Sequence, residues 1–209
     1  MVNLDNYEMM PVFPSAVYTS KTDITEDSYE YIKSLEYYSM ENNSGKLSYN
    51  TSVLNEEKLK TLKNTIKKHI DTYVHEVLQV QDDLDFYITC SWVTLHEYGD
   101  FSPSHLHSNS ILSGTLYINI PKDDESLFQL QAPDSHKMLG FVNAEVKEHN
   151  FWNSTTCAVQ PQTGTILLFP STLTHGTTPM TSTTENRYCL AFNIFVKGNI
   201  GSNINRLEL

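Results

Sequence analysis

The second half of the chain is a series of short strand patterns separated by turns, and this feature constrains the fold most strongly. Apolar and aromatic residues alternate or cluster in six segments, at 86–98, 111–120, 127–130, 158–160, 165–169 and 187–196. Gly, Pro and Asp residues lie between them, as expected for turns. Many short strands of this kind are typical of a β-sandwich or a barrel. We therefore expect a mainly β (α+β) protein.

The N-terminal part contains a short edge-strand pattern at 12–18 and two helical patterns. Aromatic and aliphatic residues recur every third position from Tyr29 to Tyr38, after a capping signal at 23–26. A longer pattern begins with Asn55 as the N-cap and runs to Val77, with apolar residues on one side and lysines on the other. Such a helix is expected to pack one face on a sheet. No linker or internal repeat divides the chain, so we expect one domain over 1–209, with its helical part at about 20–80.

Charge and composition exclude several classes of protein. The 209 residues contain 14 Lys and Arg against 25 Asp and Glu, and a net charge of −11 disfavours binding to nucleic acid. The three cysteines are scattered and form no CxxC pair, which favours neither a disulfide framework nor a zinc site. No leader or long apolar segment is apparent, so we expect a cytoplasmic protein without membrane contact.

Three histidines and one arginine beside the strand ends are candidates for a functional site. His105 and His107 follow a glycine turn at an i, i+2 spacing, which directs both imidazoles to one face of an extended chain. An isolated pair of this kind is commonly just two surface histidines. His175 follows another apolar strand and could complete a three-point face on a metal, leaving positions open for substrate or oxygen. Arg187 begins the last strand among apolar neighbours that imply burial, where an arginine needs a partner, and it could bind a carboxylate.

The order and spacing of these residues resemble the iron(II)- and 2-oxoglutarate-dependent oxygenases, in particular an oxygenase family of marine bacteria and their phages. The resemblance covers about 92–196, and its motifs match Gly99, His105, His107, Ser113-Gly114, Tyr117, Gly164, Phe169-Pro170-Ser171, His175, Pro179, Arg187 and Phe192-Asn193. It implies a double-stranded β-helix, or jelly roll, as the core over about 86–197, with the N-terminal helices packed on one sheet.

The resemblance also implies a ligand set and a reaction. Iron(II) would be bound by His105, His107 and His175, and Arg187 would bind the distal carboxylate of the co-substrate 2-oxoglutarate. Tyr117 lies where prolyl-hydroxylase-like members place a hydroxyl on the same carboxylate, although a strand tyrosine is equally ordinary. The enzyme would use oxygen, with ascorbate in vitro, to convert 2-oxoglutarate to succinate while hydroxylating a substrate. That substrate could be a small molecule, a protein or a peptide, the location would be a bacterial or phage-infected cell, and the assembly could be a homodimer.

One position departs from the commonest pattern of these oxygenases. Most of them carry Asp or Glu where this chain has His107, and a neutral imidazole makes the site more positive and more open to zinc, nickel or copper. Asp100 and Asn109 are the alternative oxygen ligands.

Two other interpretations are compatible with the sequence. A cupin-like three-histidine metal protein or dioxygenase that does not use 2-oxoglutarate fits less well, because Ile111 and Leu112 stand where a glutamate is expected and His175 is far from Gly164. A non-enzymatic jelly-roll protein would leave the histidines as coincidence. His96 could line the pocket or be a hydrogen-bonded strand histidine, and the polar stretch 134–153 could cover the site, with Phe151 and Trp152 as an aromatic wall.

Overall fold

The computed structural model describes residues 8–133 and 145–209, in which helices precede a predominantly β region. Helix α1 spans Glu26–Lys33, and helix α2 spans Lys60–Asp71 and continues as a π-helical turn over Thr72–Val77. The larger sheet contains seven strands in the order β1-β8-β5-β10-β4-β3-β2, and all its neighbours are antiparallel. These strands are β1 (Tyr18–Lys21), β2 (Tyr37–Ser39), β3 (Lys46–Ser48), β4 (Asp85–His96), β5 (Leu112–Asn119), β8 (Thr165–Pro170) and β10 (Arg187–Lys197).

A smaller antiparallel sheet faces one side of the larger sheet. It has three strands in the order β7-β6-β9, namely β6 (Phe128–Gln131), β7 (Thr156–Val159) and β9 (His175–Thr177). A short C-terminal hairpin, β11 (Asn199–Ile200) and β12 (Leu207–Glu208), lies outside both sheets. Two facing antiparallel sheets with helices outside are the mainly β architecture expected from the sequence.

The larger sheet separates two apolar cores because successive strand residues point to opposite faces. Leu190 and Phe192 of β10 belong to the core that packs against the helices, together with Ile66 and Ile70 of α2. Leu167 and Phe169 of β8 belong to a second core, which is shared with the smaller sheet. Polar side chains at the alternate positions of these strands point away from the first core. They therefore face the space between the two sheets, where the candidate site lies.

The helical region differs from the expected boundaries in two places. Helix α2 begins at Lys60, because Val53–Asn55 and Glu57–Leu59 form separate 3-10 turns. Leu54 is buried there and its backbone N–H donates to Ser91 Oγ of β4, so tertiary contacts override the capping pattern at Asn55. Thr25 does cap α1, accepting a hydrogen bond from the N–H of Ser28, but the helix ends before Tyr37, which lies in β2.

The edge strand expected at 12–18 is also displaced, because β1 begins only at Tyr18. No helix within the ranges 8–133 and 145–209 is long and apolar enough to cross a membrane.

Candidate metal centre

The three predicted histidines meet between the two sheets. One possible ligand nitrogen from each of His105, His107 and His175 lies within 4.8 Å of the other two. Their ring centroids are separated by 4.4 Å for His105 and His175, and by 5.1 Å for each of the other two pairs. Within the described residues, no other set of three His, Cys, Asp or Glu side chains converges in this way.

Backbone hydrogen bonds hold the two histidine segments together. The N–H of His105 donates to the carbonyl of His175 at 2.9 Å, and the N–H of His175 donates back to the carbonyl of His105 at 2.8 Å. The N–H of His107 donates to the carbonyl of Ser171 at 3.1 Å. These bonds connect main chains, so they fix the backbone positions from which the three imidazoles project.

The segment around His175 also explains why residue 176 is glycine. A Cβ atom on Gly176 would lie 2.7 Å from the carbonyl oxygen of Ser102, closer than real Cβ atoms approach. The adjacent Thr177 donates its N–H to that same oxygen at 2.9 Å. Gly176 therefore allows the strand that carries His175 to pack tightly against the segment that leads to His105.

Two of the imidazoles have a defined tautomer. Nδ1 of His105 lies 2.7 Å from the carbonyl oxygen of Pro103, and Nδ1 of His175 lies 2.8 Å from that of Leu173. A carbonyl oxygen can only accept, so each Nδ1 carries a proton and donates it. The lone pair of each ring is then on Nε2, which is the arrangement that metal-binding histidines use.

Burial favours the neutral form, which metal binding requires, at His107 and His175. Burial is the main cause that lowers the pKa of His175 to about 4, and the nearby His105 and His107 lower it further. Burial also lowers the pKa of His107, followed by the effect of His105 and opposed by a hydrogen bond with Asn193. The indole ring of Trp92 stacks on His107 at a centroid distance of 5.7 Å.

A cavity of about 530 Å³ connects the three histidines with Arg187 and Tyr117. Alternation along the central strands supplies its walls: β10 contributes Arg187, Cys189, Ala191 and Asn193, β5 contributes Ser113, Thr115 and Tyr117, and β4 contributes Trp92, Thr94 and His96. Burial raises the pKa of Tyr117 well above its ordinary value, so its hydroxyl stays protonated and can donate.

Arg187 is almost completely buried, and four side chains hold its guanidinium. Its Nη1 lies 3.5 Å from Oδ2 of Asp124 and donates to Ser126 Oγ. Its Nη2 donates to Nδ1 of His96 and lies 3.4 Å from Thr177 Oγ1. The expectation that Arg187 is buried and needs a partner is confirmed, and Asp124 is its anionic partner.

The remaining candidates lie apart from the histidine group. The carboxylate of Asp100 accepts the N–H of Glu97 at 2.9 Å in a turn, and Asn109 is exposed with a positive φ of 57°. Of the polar stretch 134–153, residues 134–144 lie outside the described residues. Phe151 and Trp152 contact each other edge to face, and neither is among the residues that line the cavity.

Sequence reasoning missed Asp124 and Ser126, and it left the role of His96 open. Asp124 belongs to the Pro-Lys-Asp-Asp turn at 121–124, whose composition is that of an exposed loop. His96 proves to be both a cavity-lining and a hydrogen-bonded residue, since it accepts from Arg187. The one sequence signal for Asp124 was the requirement that a buried Arg187 must have an anion nearby.

Comparisons with known proteins agree with the geometry. The sequence matches the family model described as "Putative 2OG-Fe(II) oxygenase" over residues 90–193, about half of the chain. No curated protein is significantly similar to the chain in sequence.

Several solved structures share the fold at low sequence identity. The alpha-ketoglutarate-dependent epimerase SnoN from nogalamycin biosynthesis has a TM-score of 0.60 at 12% identity, with 87% of this chain and 78% of that chain covered. A prolyl-4-hydroxylase from Pseudomonas putida has a TM-score of 0.55 at 12% identity, with 86% and 92% covered. HygX from Streptomyces hygroscopicus, solved with nickel and 2-oxoglutarate bound, has a TM-score of 0.51 at 12% identity, with 86% and 82% covered.

At identities this low the structural similarity establishes the double-stranded β-helix fold, and the family match adds the activity. The matched range 90–193 contains the three histidines, Tyr117 and Arg187. The chain therefore belongs to the family of iron(II)- and 2-oxoglutarate-dependent oxygenases.

Proposed function

We propose that His105, His107 and His175 bind the iron of this oxygenase, and that Arg187 and Tyr117 bind the distal carboxylate of 2-oxoglutarate. The observation that carries this proposal is the convergence of three imidazole nitrogens within 4.8 Å, in the cavity that also contains a buried arginine. When bound, the iron supplies the oxidative decarboxylation of 2-oxoglutarate to succinate that drives oxidation of the substrate.

The residues present fit a divalent metal. Three neutral imidazoles on one face are suitable ligands for iron(II), and they leave the opposite positions for the co-substrate and oxygen. The backbone carbonyls of Pro103 and Leu173 orient the rings of His105 and His175, so little rearrangement is needed on binding. Because no carboxylate joins the group in the described residues, the bound metal keeps its full positive charge and favours an anionic co-substrate.

The other end of the cavity fits a carboxylate. The guanidinium of Arg187 is held in place by four side chains, and a charge-assisted contact to it is stronger than a neutral hydrogen bond. Tyr117 adds a protonated hydroxyl from the neighbouring strand. A dicarboxylate with a keto group at one end can therefore use both ends of the same cavity.

The remaining walls indicate the chemistry of the substrate. Met40, Leu47, Trp92 and Leu106 line the cavity, and among its lining residues in the described ranges Arg187 is the only Asp, Glu, Lys or Arg. Once 2-oxoglutarate occupies Arg187, no opposite charge is left for a charged reacting group. The reacting group is therefore uncharged, whether it belongs to a small molecule or to a peptide. Hydroxylation of that group is the reaction that we propose.

Metal titration tests the ligand set. Metal-stripped protein is titrated with iron(II) under anaerobic conditions and, in parallel, with cobalt(II), and binding is followed by calorimetry. One equivalent should bind to the wild type, and His175→Ala should abolish that binding. His149→Ala is the matched control, because His149 is exposed and outside the group. Equal binding in wild type and His175→Ala would refute the assignment.

A further inference from the structure

We propose that Asp124 is a positioning residue for 2-oxoglutarate, which orients the guanidinium of Arg187 from the side away from the cavity. This inference rests on the proposed role of Arg187 and extends it to a residue that does not touch the co-substrate.

The contacts of Arg187 divide into two sides. On the Nη2 side, His96 and Thr177 both line the cavity. On the Nη1 side, Asp124 and Ser126 are absent from the residues that line the cavity in the described part of the chain. Asp124 and Ser126 therefore hold the guanidinium from behind, and its cavity side stays directed at whatever occupies the cavity.

Asp124 is itself rigidly held. Its Oδ1 accepts from the N–H groups of Ser126 and Thr181, each at 3.1 Å, and lies 3.2 Å from Thr181 Oγ1. Its Oδ2 accepts from Ser126 Oγ at 2.8 Å and faces Arg187. These bonds join the loop after β5 to the loop after β9, so the carboxylate cannot rotate without breaking contacts in both loops.

The charge of Asp124 matters as well as its geometry. Burial alone would raise the pKa of Asp124, but hydrogen bonds from Thr181 and Ser126 and the charge of Arg187 bring it below its ordinary value. The side chains of Arg187 and Asp124 are only 2% and 1% exposed. Asp124 is therefore ionised and balances the buried guanidinium, which would otherwise be an uncompensated charge.

The chain offers a matched control in the preceding residue. Asp123 accepts hydrogen bonds from the hydroxyls of Ser182 and Thr184, and none of its hydrogen bonds in the described residues involves Arg187. Asp123→Asn and Asp124→Asn thus make the same chemical change in one loop, and only the second reaches the arginine.

The test compares two ligands of the nickel-loaded protein by calorimetry. 2-Oxoglutarate reaches both the metal and Arg187, whereas oxalate has the adjacent oxygens that bind a metal but no distal carboxylate. Asp124→Asn should weaken 2-oxoglutarate binding by about tenfold, which is the lower end of the range of affinity loss for a charge-assisted contact. It should leave oxalate binding unchanged. In turnover, the KM for 2-oxoglutarate should rise by a similar factor with little change in kcat. Asp123→Asn should change the affinity for neither ligand.

A second variant covers the case in which Asp124→Asn does not fold. Ser126→Ala keeps the charge and removes one hydroxyl that contacts both Asp124 and Arg187. It should therefore weaken the binding of 2-oxoglutarate about two- to tenfold and leave the binding of oxalate unchanged. Unchanged 2-oxoglutarate binding in these variants would overturn the proposal, as would an equal loss of both ligands, which indicates general damage. Wild-type protein that binds metal but no 2-oxoglutarate would instead contradict the proposed function of Arg187.

Discussion

Replacing Arg187 tests whether the cavity recognises a dicarboxylate. Arg187→Gln removes the charge that is presented to the distal carboxylate, in a site where the arginine side chain is 2% exposed and solvent cannot substitute for it. A charge-assisted contact contributes about 1.5–3 kcal/mol, so the affinity for 2-oxoglutarate should fall about ten- to a hundredfold. The metal content should stay unchanged, because Arg187 is not among the three converging histidines.

The same substitution leaves Asp124 without its cation and should lower the free energy of unfolding by about 3–5 kcal/mol, as for other broken buried ion pairs. Calorimetry on nickel-loaded protein measures the first effect, and urea unfolding measures the second. Arg206→Gln is the control, since Arg206 is exposed near the C-terminus and contacts Asn199 and Glu208. If a destabilised Gln variant is hard to obtain, Arg187→Lys keeps the charge and loses the planar fork, with an effect in the same direction. Wild-type affinity for 2-oxoglutarate in the folded Arg187→Gln protein would refute the reasoning.

Three further predictions follow from the site. His107→Ala should lose the metal, whereas His107→Asp should retain it and prefer iron over zinc and copper, because a carboxylate oxygen is a harder ligand. Elemental analysis after loading with mixed metals measures both effects. Equal metal content in wild type and His107→Ala would remove His107 from the ligand set. Burial and then the charge of Arg187 lower the pKa of His96 to about 3 in the folded protein. Below pH 6.5 the unfolded chain therefore binds more protons at His96 than the folded protein does. The stability that neutral His96 contributes is complete above pH 6.5 and is lost as the pH falls towards 3. Between pH 7 and pH 5 the metal-free wild type should therefore lose about 2 kcal/mol more unfolding free energy than His96→Asn; equal losses in urea titrations at the two pH values would contradict this. Of the two tryptophans, Trp92 stacks on His107, so nickel should quench the fluorescence of Trp152→Phe but not of Trp92→Phe, and the reverse pattern would displace the metal from this site.

Much of the candidate site is visible in the sequence because its parts are local patterns at strand ends. The i, i+2 spacing of His105 and His107 requires only an extended chain to bring both rings to one face. His175 comes from a distant segment, and the prediction that its ring meets theirs depends on the resemblance to a known family rather than on periodicity. The strands β4, β5, β8 and β10 were predictable for a similar reason, because their apolar content is high over six or more residues.

The elements that sequence reasoning missed depend on long-range contacts. Strand β9 has only three residues and contains a glycine, so it carries no strand pattern of its own and exists because β6 pairs with it. Strand β2 is equally short and lies at the end of the pattern that predicts a helix up to Tyr38, and β3, also of three residues, lies in a polar segment. Asp124 has the composition of a surface turn, and only its contact with Arg187, 63 positions away along the chain, makes it a buried anion.

Succinate formation from 2-oxoglutarate tests the central claim most directly. Purified protein supplied with iron(II), ascorbate, oxygen and 2-oxoglutarate should form succinate, slowly without the substrate, and His175→Ala should form none above the protein-free background while His149→Ala retains the activity. A wild-type protein that forms no succinate and whose metal-loaded form binds no 2-oxoglutarate would contradict this activity.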